Sequence, residues 1–472
     1  MTDHDLVFSP LTCVAPLIAS GALSPVTLVE AYLRRIESHD GALHSYLLVL
    51  ADRARAEAKA AELAIQAGGY KGPLHGIPFA VKDNYFTAGV RTCAGSRLLL
   101  DHVPDRTATI IGKLEQAGAI LLGKLNTWEY GTGTGAVHFD LPFPPARNPW
   151  DTSRYTGGSS SGAGAALGGG LAMFTLGSDT GGSIRLPASA CGVMGLKPTF
   201  GLVSRTGILP NCWSLDVAGP LARTAEDLAT ILCVIGGHDA ADAGSVSTNL
   251  VDYTAGVRDG VRSMTIGVIR ELGKAGDTVE PSIWAGLERT ARHLAERGAE
   301  LVPISLPATM KTYQDASGII NWSESYSIHE KDFLERQDLM GQALRDKMMT
   351  GFSVRAADYL AAQRQRRALT HETDAVMHGY DAVLMPCTAI TAPAMDDADG
   401  IVAFTRNAFV APFNISGHPA MSIPTGFDAE GLPTSIQLAG RWFGEADLLR
   451  VAACCEEIAG TSRRPMLDKE AP

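Results

Sequence analysis

Lys82, Ser159 and Ser183 are residues whose types and surroundings could support acyl transfer. A serine hydroxyl is a poor nucleophile unless a positioned base takes its proton. A lysine can be that base if burial or its neighbours lower its pKa well below the reference value near 10.4. Lys82 ends the apolar run Ile77-Pro-Phe-Ala-Val, which could aim its ammonium from a hydrophobic wall into a pocket. Asp179-Thr-Gly-Gly-Ser183 places unencumbered backbone amides directly before a serine, an arrangement able to donate hydrogen bonds to an oxyanion. From spacing alone, the simpler account of Lys82 is a strand-end lysine paired with Asp83 or facing solvent.

The densest unusual sequence surrounds these serines: Tyr155-Thr-Gly-Gly-Ser-Ser-Ser-Gly-Ala-Gly, then Gly177-Ser-Asp-Thr-Gly-Gly-Ser-Ile-Arg. Small residues on this scale allow backbone amides to converge, but a tightly packed turn region without chemistry would look the same. A phosphate cradle would need a Gly-Lys-Ser/Thr ending, and no Lys or Arg occurs between Arg154 and Arg185. Gly158-Ser-Ser-Ser-Gly162 matches the G-x-S-x-G elbow with Ser160 at its centre. An elbow follows a hydrophobic strand, whereas Arg154-Tyr-Thr-Gly precedes this one, and His418 is the late histidine such a triad would call on.

These residues have to be held by an alternating framework. Ser24 as cap and Pro25 in the first turn predict a helix over 24–37, followed by a strand at 45–50 and an Ala-rich helix at 51–66. Gly76 to Asp83 reads as a short buried strand, 107–117 as a helix and 119–123 as a strand. After the glycine-serine region come helix 224–236, strand 265–269, helix 280–297 and strand 300–304. A helical section at about 312–377, a strand at 380–386, strands at 420–424 and 434–438 and a helix at 445–458 complete the pattern. Such alternation implies an α/β sheet covered on both faces. No repeat is visible, and the polar stretch 237–260 is the best loop candidate. The reading is one domain over 1–472.

Composition narrows the class. The 472 residues are 46% hydrophobic and 19% charged, which excludes a disordered chain. Forty basic against 51 acidic side chains leave a net charge of −11, which argues against a nucleic-acid footprint or a polybasic membrane patch. The acidic start Met1-Thr-Asp-His-Asp lacks the basic region of a signal peptide. Leu6–Val29 is broken by three prolines and Tyr155–Ser178 is rich in Gly and Ser, so neither reads as a membrane span. Eight cysteines without CxxC or CxxH spacing suggest neither a zinc site nor a disulfide framework. A cytoplasmic protein is expected.

Taken together, several segments resemble the amidase signature family. Gly157-Gly-Ser-Ser-Ser-Gly, Gly177-Ser-Asp-Thr-Gly-Gly-Ser-Ile-Arg-Leu-Pro-Ala and Cys191-Gly-Val-Met-Gly-Leu-Lys-Pro-Thr look like its signature, and Gly76-Ile-Pro-Phe-Ala-Val-Lys-Asp-Asn looks like its lysine strand. Gly118-Ala-Ile-Leu-Leu-Gly-Lys-Leu-Asn, Arg147-Asn-Pro-Trp-Asp, Gly417-His-Pro-Ala and Gly431-Leu-Pro-Thr-Ser-Ile-Gln-Leu extend the likeness over nearly the whole chain. The resemblance implies a mixed, mostly parallel sheet of about eleven strands flanked by helices, with a signature core at about 76–200 and a helical insertion at about 312–377. It also implies a Ser–Ser–Lys triad: Ser183 as acylated nucleophile, Ser159 as bridging serine, usually held by a cis peptide bond, and Lys82 as base. The amides of Thr180, Gly181, Gly182 and Ser183 would form the oxyanion hole.

The activity implied is hydrolysis of a small amide (aliphatic, aryl, anilide or hydrazide), with no metal or organic cofactor. The segments 356–366 and 404–420 look like the free-standing branch of the family. The alternative is the glutaminase component of a tRNA-dependent amidotransferase, from whose Gly-Thr-Tyr-rich motif Met349-Thr-Gly-Phe-Ser departs. The partner expected is therefore a small-molecule amide, without nucleic acid or membrane, and a homodimer is compatible with the sequence. Candidate pocket residues are Trp128, Tyr130, His138, Trp213, Trp322 and Phe404, with Phe139 and Phe409 as further aromatics. Arg185 is expected to pair with Asp179, Ser160 and Ser161 to serve as scaffold, and His138 and His418 to be structural.

Overall fold

The structure, a computed structural model, describes residues 2–132, 139–458, 463–465 and 467. Eleven strands form one sheet: β1 Tyr46–Val49, β2 Pro78–Lys82, β3 Ile120–Leu125, β4 Phe174–Asp179, β5 Met194–Lys197, β6 Val217–Ala222, β7 Thr265–Ile269, β8 Glu300–Ile304, β9 Ala382–Pro386, β10 Ala420–Phe427 and β11 Pro433–Ala439. Their order is β1-β3-β2-β4-β6-β5-β10-β11-β9-β7-β8. Parallel pairing is confined to β3-β2-β4 on one flank and β9-β7-β8 on the other. The centre is antiparallel from β4 through β6, β5, β10 and β11 to β9, so the sheet is mixed but not mostly parallel. For one of these pairs the reason is local: β10 and β11 are joined by a tight connection around Gly431 (φ 85°), where the chain reverses without a crossover helix.

The strands around the serines read as uniformly apolar or small because both faces are covered. β2, β3 and β6 are buried along their whole length. In β2, Phe79 stacks on Phe174 of β4 with ring centroids 5.3 Å apart. Beside these strands lies the helix Ser161–Gly168, which is buried on every side. A side chain at Gly162 would put its Cβ 2.3 Å from the Ser45 carbonyl oxygen, and one at Gly164 would put it 2.7 Å from that of Pro187. Glycine here admits a neighbouring backbone rather than flexibility.

The helical insertion consists of three helices, Met310–Arg336, Gln342–Phe352 and Ala356–Met377. The first break falls before Gly341, whose N–H donates to Glu129 Oε2 at 2.9 Å and so pins the insertion to the loop after β3. Leu344, Met348 and Phe333 pack in the same buried cluster as Tyr130 of that loop. Among the described residues no helix is long and apolar enough to cross a membrane.

Candidate active site

β2 carries Lys82 to the C-terminal edge of the sheet, with its side chain fully buried. Its Nζ donates to Ser159 Oγ at 2.7 Å and to Ser178 Oγ at 3.0 Å; Asn84 Nδ2 also donates to Ser178 Oγ. Burial brings its pKa down to about 7, against the opposing pull of Asp216 and Asp179. The pairing of Lys82 with Asp83 does not occur. Asp83 Oδ1 lies 2.9 Å from Lys124 Nζ and Asp83 Oδ2 accepts the amides of Cys93 and Ala94, so the adjacent carboxylate is turned away.

Ser159 sits after a cis Gly158–Ser159 peptide bond and is buried. The Trp128 ring covers the preceding glycine so closely that a Cβ at Gly158 would lie 2.1 Å from it, and Trp128 N donates to Ser159 O at 3.1 Å. Gly131 (φ 70°) borders the same space: a Cβ there would stand 3.3 Å from Lys82 Nζ and 3.6 Å from Ser159 Oγ. Ser160 is scaffold, because its Oγ donates to Ser178 O and accepts from Ser178 N.

Ser183 is half-buried at the turn between β4 and the helix Arg185–Cys191. Its backbone is tied to the first serine loop through Ser160 N–H to Ser183 O at 3.3 Å. Among the described residues its Oγ makes no hydrogen bond, so Lys82 and Ser159 are joined directly while Ser183 is tied to their loop through the backbone of Ser160. The four expected oxyanion amides divide. Gly182 N–H donates to Asp179 Oδ1 at 2.8 Å and is already engaged. Among the described residues those of Thr180, Gly181 and Ser183 have no acceptor. The physical reason is the φ of 106° at Gly182, which folds its amide back onto the strand-end carboxylate.

That carboxylate is the anchor of the loop. Arg185 is fully buried and all five of its N–H groups are used: Nε and Nη2 on Asp179, Nη1 on Val410 O and Gln437 Oε1, and Nη2 also on Asn414 Oδ1. Burial works against the ionised form of Asp179, but the Arg185 guanidinium outweighs it and holds the carboxyl well below the usual range. The guanidinium therefore has no donor left for a substrate. On the other side of the loop, Thr180 Oγ1 donates to Asp216 Oδ1 at 2.6 Å and accepts from Asn211 Nδ2 at 3.2 Å.

The aromatic residues proposed for the pocket separate. Trp128 and Tyr130 border the serine–lysine cluster. Tyr130 meets His329 edge-on, with centroids 4.4 Å apart. Trp213 is 58% exposed and lies beyond Asn211. Trp322 is 39% exposed on the helix Met310–Arg336, packed near Gly318 and Gly351 of the insertion. Phe404 is 1% exposed and packs edge-on to Tyr155 in a cluster with Leu186 and Cys387. His138 lies outside the described residues. His418 is structural: it is buried, stacks on Trp442 and contacts Ser416 and Asp374. Among the described residues no cluster of three or more His, Cys, Asp and Glu is arranged to hold a metal ion.

Sequence reasoning did not single out Ser178, Asn211, Asp216, His329 or Lys347. Lys347 comes from the helix Gln342–Phe352, is buried, and its Nζ donates to Thr132 Oγ1 and, at 2.7 Å, to Asn211 Oδ1. Nothing in a helical lysine signals that its neighbours are a loop two hundred residues away.

A buried lysine joined to a serine, beside a second serine on a loop with unused amides, is an arrangement of serine hydrolases that use lysine as base. The family model Amidase matches residues 27–449, and the chain belongs to this amidase signature family of hydrolases acting on amide C–N bonds. It is 37% identical to the A component of the glutamyl-tRNA(Gln) amidotransferase of Moorella thermoacetica over 98% of both chains. Among solved structures, it is 32% identical, with a TM-score of 0.89, to a chain described with a vestigial protein complex that reveals the evolutionary origins of an s-triazine catabolic enzyme; 96% of this chain and 99% of that chain are covered. The peptide amidase of Stenotrophomonas maltophilia is 29% identical with a TM-score of 0.85, over 98% of this chain and 99% of that one.

Proposed function

We propose that the chain hydrolyses a carboxamide through an acyl-enzyme on Ser183, with Lys82 as base and Ser159 as proton relay. The observation that carries this is the 2.7 Å contact between a fully buried Lys82 Nζ and Ser159 Oγ. Neutral Lys82 takes the Ser159 proton as Ser159 takes that of Ser183, and Ser183 Oγ attacks the carbonyl carbon. The oxyanion rests on the free amides of Gly181 and Ser183, with Thr180 N–H beside them. The relay then returns the proton to the leaving nitrogen, since an amide anion is a very poor leaving group. Water attacks the ester by the same route and releases the acid.

Two readings of the amide remain, and the comparisons favour the one the sequence placed second. The likeness to the A component of an amidotransferase over the full length of both chains supports a glutaminase that works with partner chains and tRNA. The departure at Met349-Thr-Gly-Phe-Ser and the likeness to the peptide amidase support a free-standing amidase. Ammonia release from glutamine and from simple amides, measured for the purified chain alone and with the other components of such an amidotransferase, decides between them. Turnover of simple amides by the chain alone supports the second; glutaminase activity only in the complex supports the first. Failure of a fluorophosphonate to label Ser183 would overturn the acyl-enzyme itself.

A further inference from the structure

A cavity of about 430 Å³ lies at the opposite end of β4 from the catalytic loop, and its wall carries Phe8, Trp150, Arg223, Phe427, Arg463 and Arg464. Arg223 directly follows β6, and its Nη1 donates to Met173 O at 3.2 Å, just before β4 begins. Asp179 and the oxyanion loop lie where β4 ends. The six residues of this strand, at ~3.3 Å each, put the two ends about 20 Å apart. A small molecule held here touches neither Ser183 nor a carbonyl under attack by it.

Three guanidiniums gather at this cavity. Those of Arg223 and Arg464 lie over the Phe8 ring, 5.5 and 4.9 Å from its centroid, and that of Arg463 lies over Phe427 at 4.6 Å. A ring face holds a guanidinium flat and leaves its N–H edge for an acceptor. Matching acids are missing. Among the described residues no carboxylate lies within 4 Å of Arg223 or Arg463, and Arg464 stands 4.0 Å from Asp5. Glu456, the acidic residue of the wall, is already taken by Ala225 N at 2.6 Å and Arg258 Nη1 at 3.4 Å. Arg223 donates only to neutral backbone acceptors, Nη1 to Ala172 O and Met173 O and Nη2 to Leu167 O, so Nε–H and one Nη2 N–H are left without an acceptor among the described residues. Burial disfavours its charge, and the nearby Arg464 and Arg35 add to this against the pull of Asp227. The apolar part of the wall is aromatic, with Trp150 edge-on to Phe427 at 4.8 Å between centroids.

We propose that this cavity binds an organic carboxylate with a flat aromatic body, its carboxylate held by the guanidiniums of Arg223, Arg463 and Arg464 and its rings lying against Phe8, Trp150 and Phe427. Guanidinium forks match a carboxylate in shape as well as charge. A bare inorganic anion would leave the aromatic wall unused, and a neutral arene would leave the guanidiniums unmatched. Cavities of this size with a few convergent polar groups on an apolar lining are the usual form of a small-ligand site.

4-Benzoylbenzoate joins the two features and, on irradiation, cross-links to C–H bonds beside it. Calorimetry should show it binding the wild-type chain at least about 10-fold more tightly than neutral 4-(hydroxymethyl)benzophenone or inorganic phosphate, the scale of one charge-assisted hydrogen bond. Peptide mapping after irradiation should place the adduct at 8–10, Trp150, Phe427 or 463–465. Arg463→Gln, which changes an exposed side chain, combined with Arg464→Gln should weaken binding at least about 10-fold and lower the adduct yield. Equal binding of the acid and the alcohol, phosphate binding as tightly as the aryl acid, or full affinity in the double variant would each overturn the site. So would adducts confined to the surroundings of Trp128, Ser159 and Ser183, which would place the probe at the catalytic centre. The cross-link is mapped on the wild-type chain, so the test survives a double variant that does not fold.

Discussion

Lys82 Nζ lies 2.7 Å from Ser159 Oγ and 3.0 Å from Ser178 Oγ, so the buried amine is met by two neutral hydroxyls. Among the described residues no carboxylate approaches within 4 Å. Neutral hydroxyls bring no opposite charge, so they do not offset the stability that burial takes from the ammonium form. Ser178 also accepts from Asn84, which fixes its hydroxyl proton away from that donor and toward other acceptors.

With a pKa near 7, Lys82 is about half neutral at physiological pH. The logarithm of kcat/KM should therefore rise with unit slope below pH 7 and level off above it. Lys82→Ala should remove this limb and leave a small activity that grows with hydroxide concentration. A limb near pH 10 in the wild type would show that the lysine is charged at neutral pH and that burial does not lower its pKa.

Asp179 and Arg185 form a fully buried pair whose other hydrogen bonds come from within the same knot, Asn414 Nδ2 donating to Asp179 Oδ1 at 2.7 Å. Arg185→Met leaves the carboxylate buried without its counter-charge, which costs about 3–5 kcal/mol. Urea denaturation should show that loss, together with collapse of turnover as the oxyanion loop loses its anchor. Retention of full stability would mean that Asp179 finds another partner.

Where the elements follow from periodicity, sequence and structure agree closely. Strands 265–269 and 300–304 are found as read, and the Ser24-capped helix appears as Pro25–Leu43, with Ser24 Oγ accepting from Val26 N. The glycine-serine region was opaque because β4, β5, β6 and the helices Ser161–Gly168 and Arg185–Cys191 have no polar face to set a period. The grouping of Lys82 with Ser159 and Ser183 is legible only through a resemblance; from spacing alone Lys82 reads as the partner of Asp83 or as facing solvent. That error has a cause, since the true partner, Lys124, comes from β3, and register between strands is not written in either one. The engagement of Gly182 N–H by Asp179 was equally invisible, for it depends on a backbone angle.

Gly182 combines φ 106° with a Cβ position 2.8 Å from Val410 Cγ2 and 3.0 Å from Leu186 Cγ. An L-residue there meets both a disfavoured conformation and a packed wall. Gly182→Ala should lower kcat by at least about 10²-fold, the scale of losing one oxyanion donor, by displacing the Gly181 and Ser183 amides. Gly181 has open space about its Cβ position and φ outside the left-handed region, so Gly181→Ala should be far milder. Steady-state kinetics of the two variants side by side check this, and equal losses would show that the loop tolerates neither.

The relay implies that its members fail together. Ser183→Ala removes the attacking oxygen and should reduce turnover to background, while Ser159→Ala should cost on the order of 10²–10⁴, the range of a general acid–base step. Combining Ser159→Ala with Lys82→Ala should cost little more than the worse single change, because each already interrupts the same proton path. A fluorophosphonate adduct should map to Ser183; an adduct on Ser160 would instead support the elbow reading of Gly158–Gly162.

The base should also be visible in stability. In the unfolded chain Lys82 holds its proton up to its ordinary pKa of about 10.5, whereas in the folded chain it releases it at about 7. Between these values the unfolded state binds more protons, so this group makes stability rise with pH from about 7 to about 10.5. The destabilisation is complete below pH 7 and absent above 10.5. Lys82→Met replaces the side chain with an apolar one of similar length and removes this dependence, while leaving the contact to Ser159 orphaned. The Tm of Lys82→Met relative to wild type should therefore be more favourable at pH 7 than at pH 10, by the equivalent of a few kcal/mol, as for other buried lysines. Thermal denaturation of both proteins at the two pH values measures the difference of differences, in which every other titrating group cancels. An offset that does not change with pH would mean that Lys82 keeps its proton in the folded state, and the acid limb assigned to it would then need another origin.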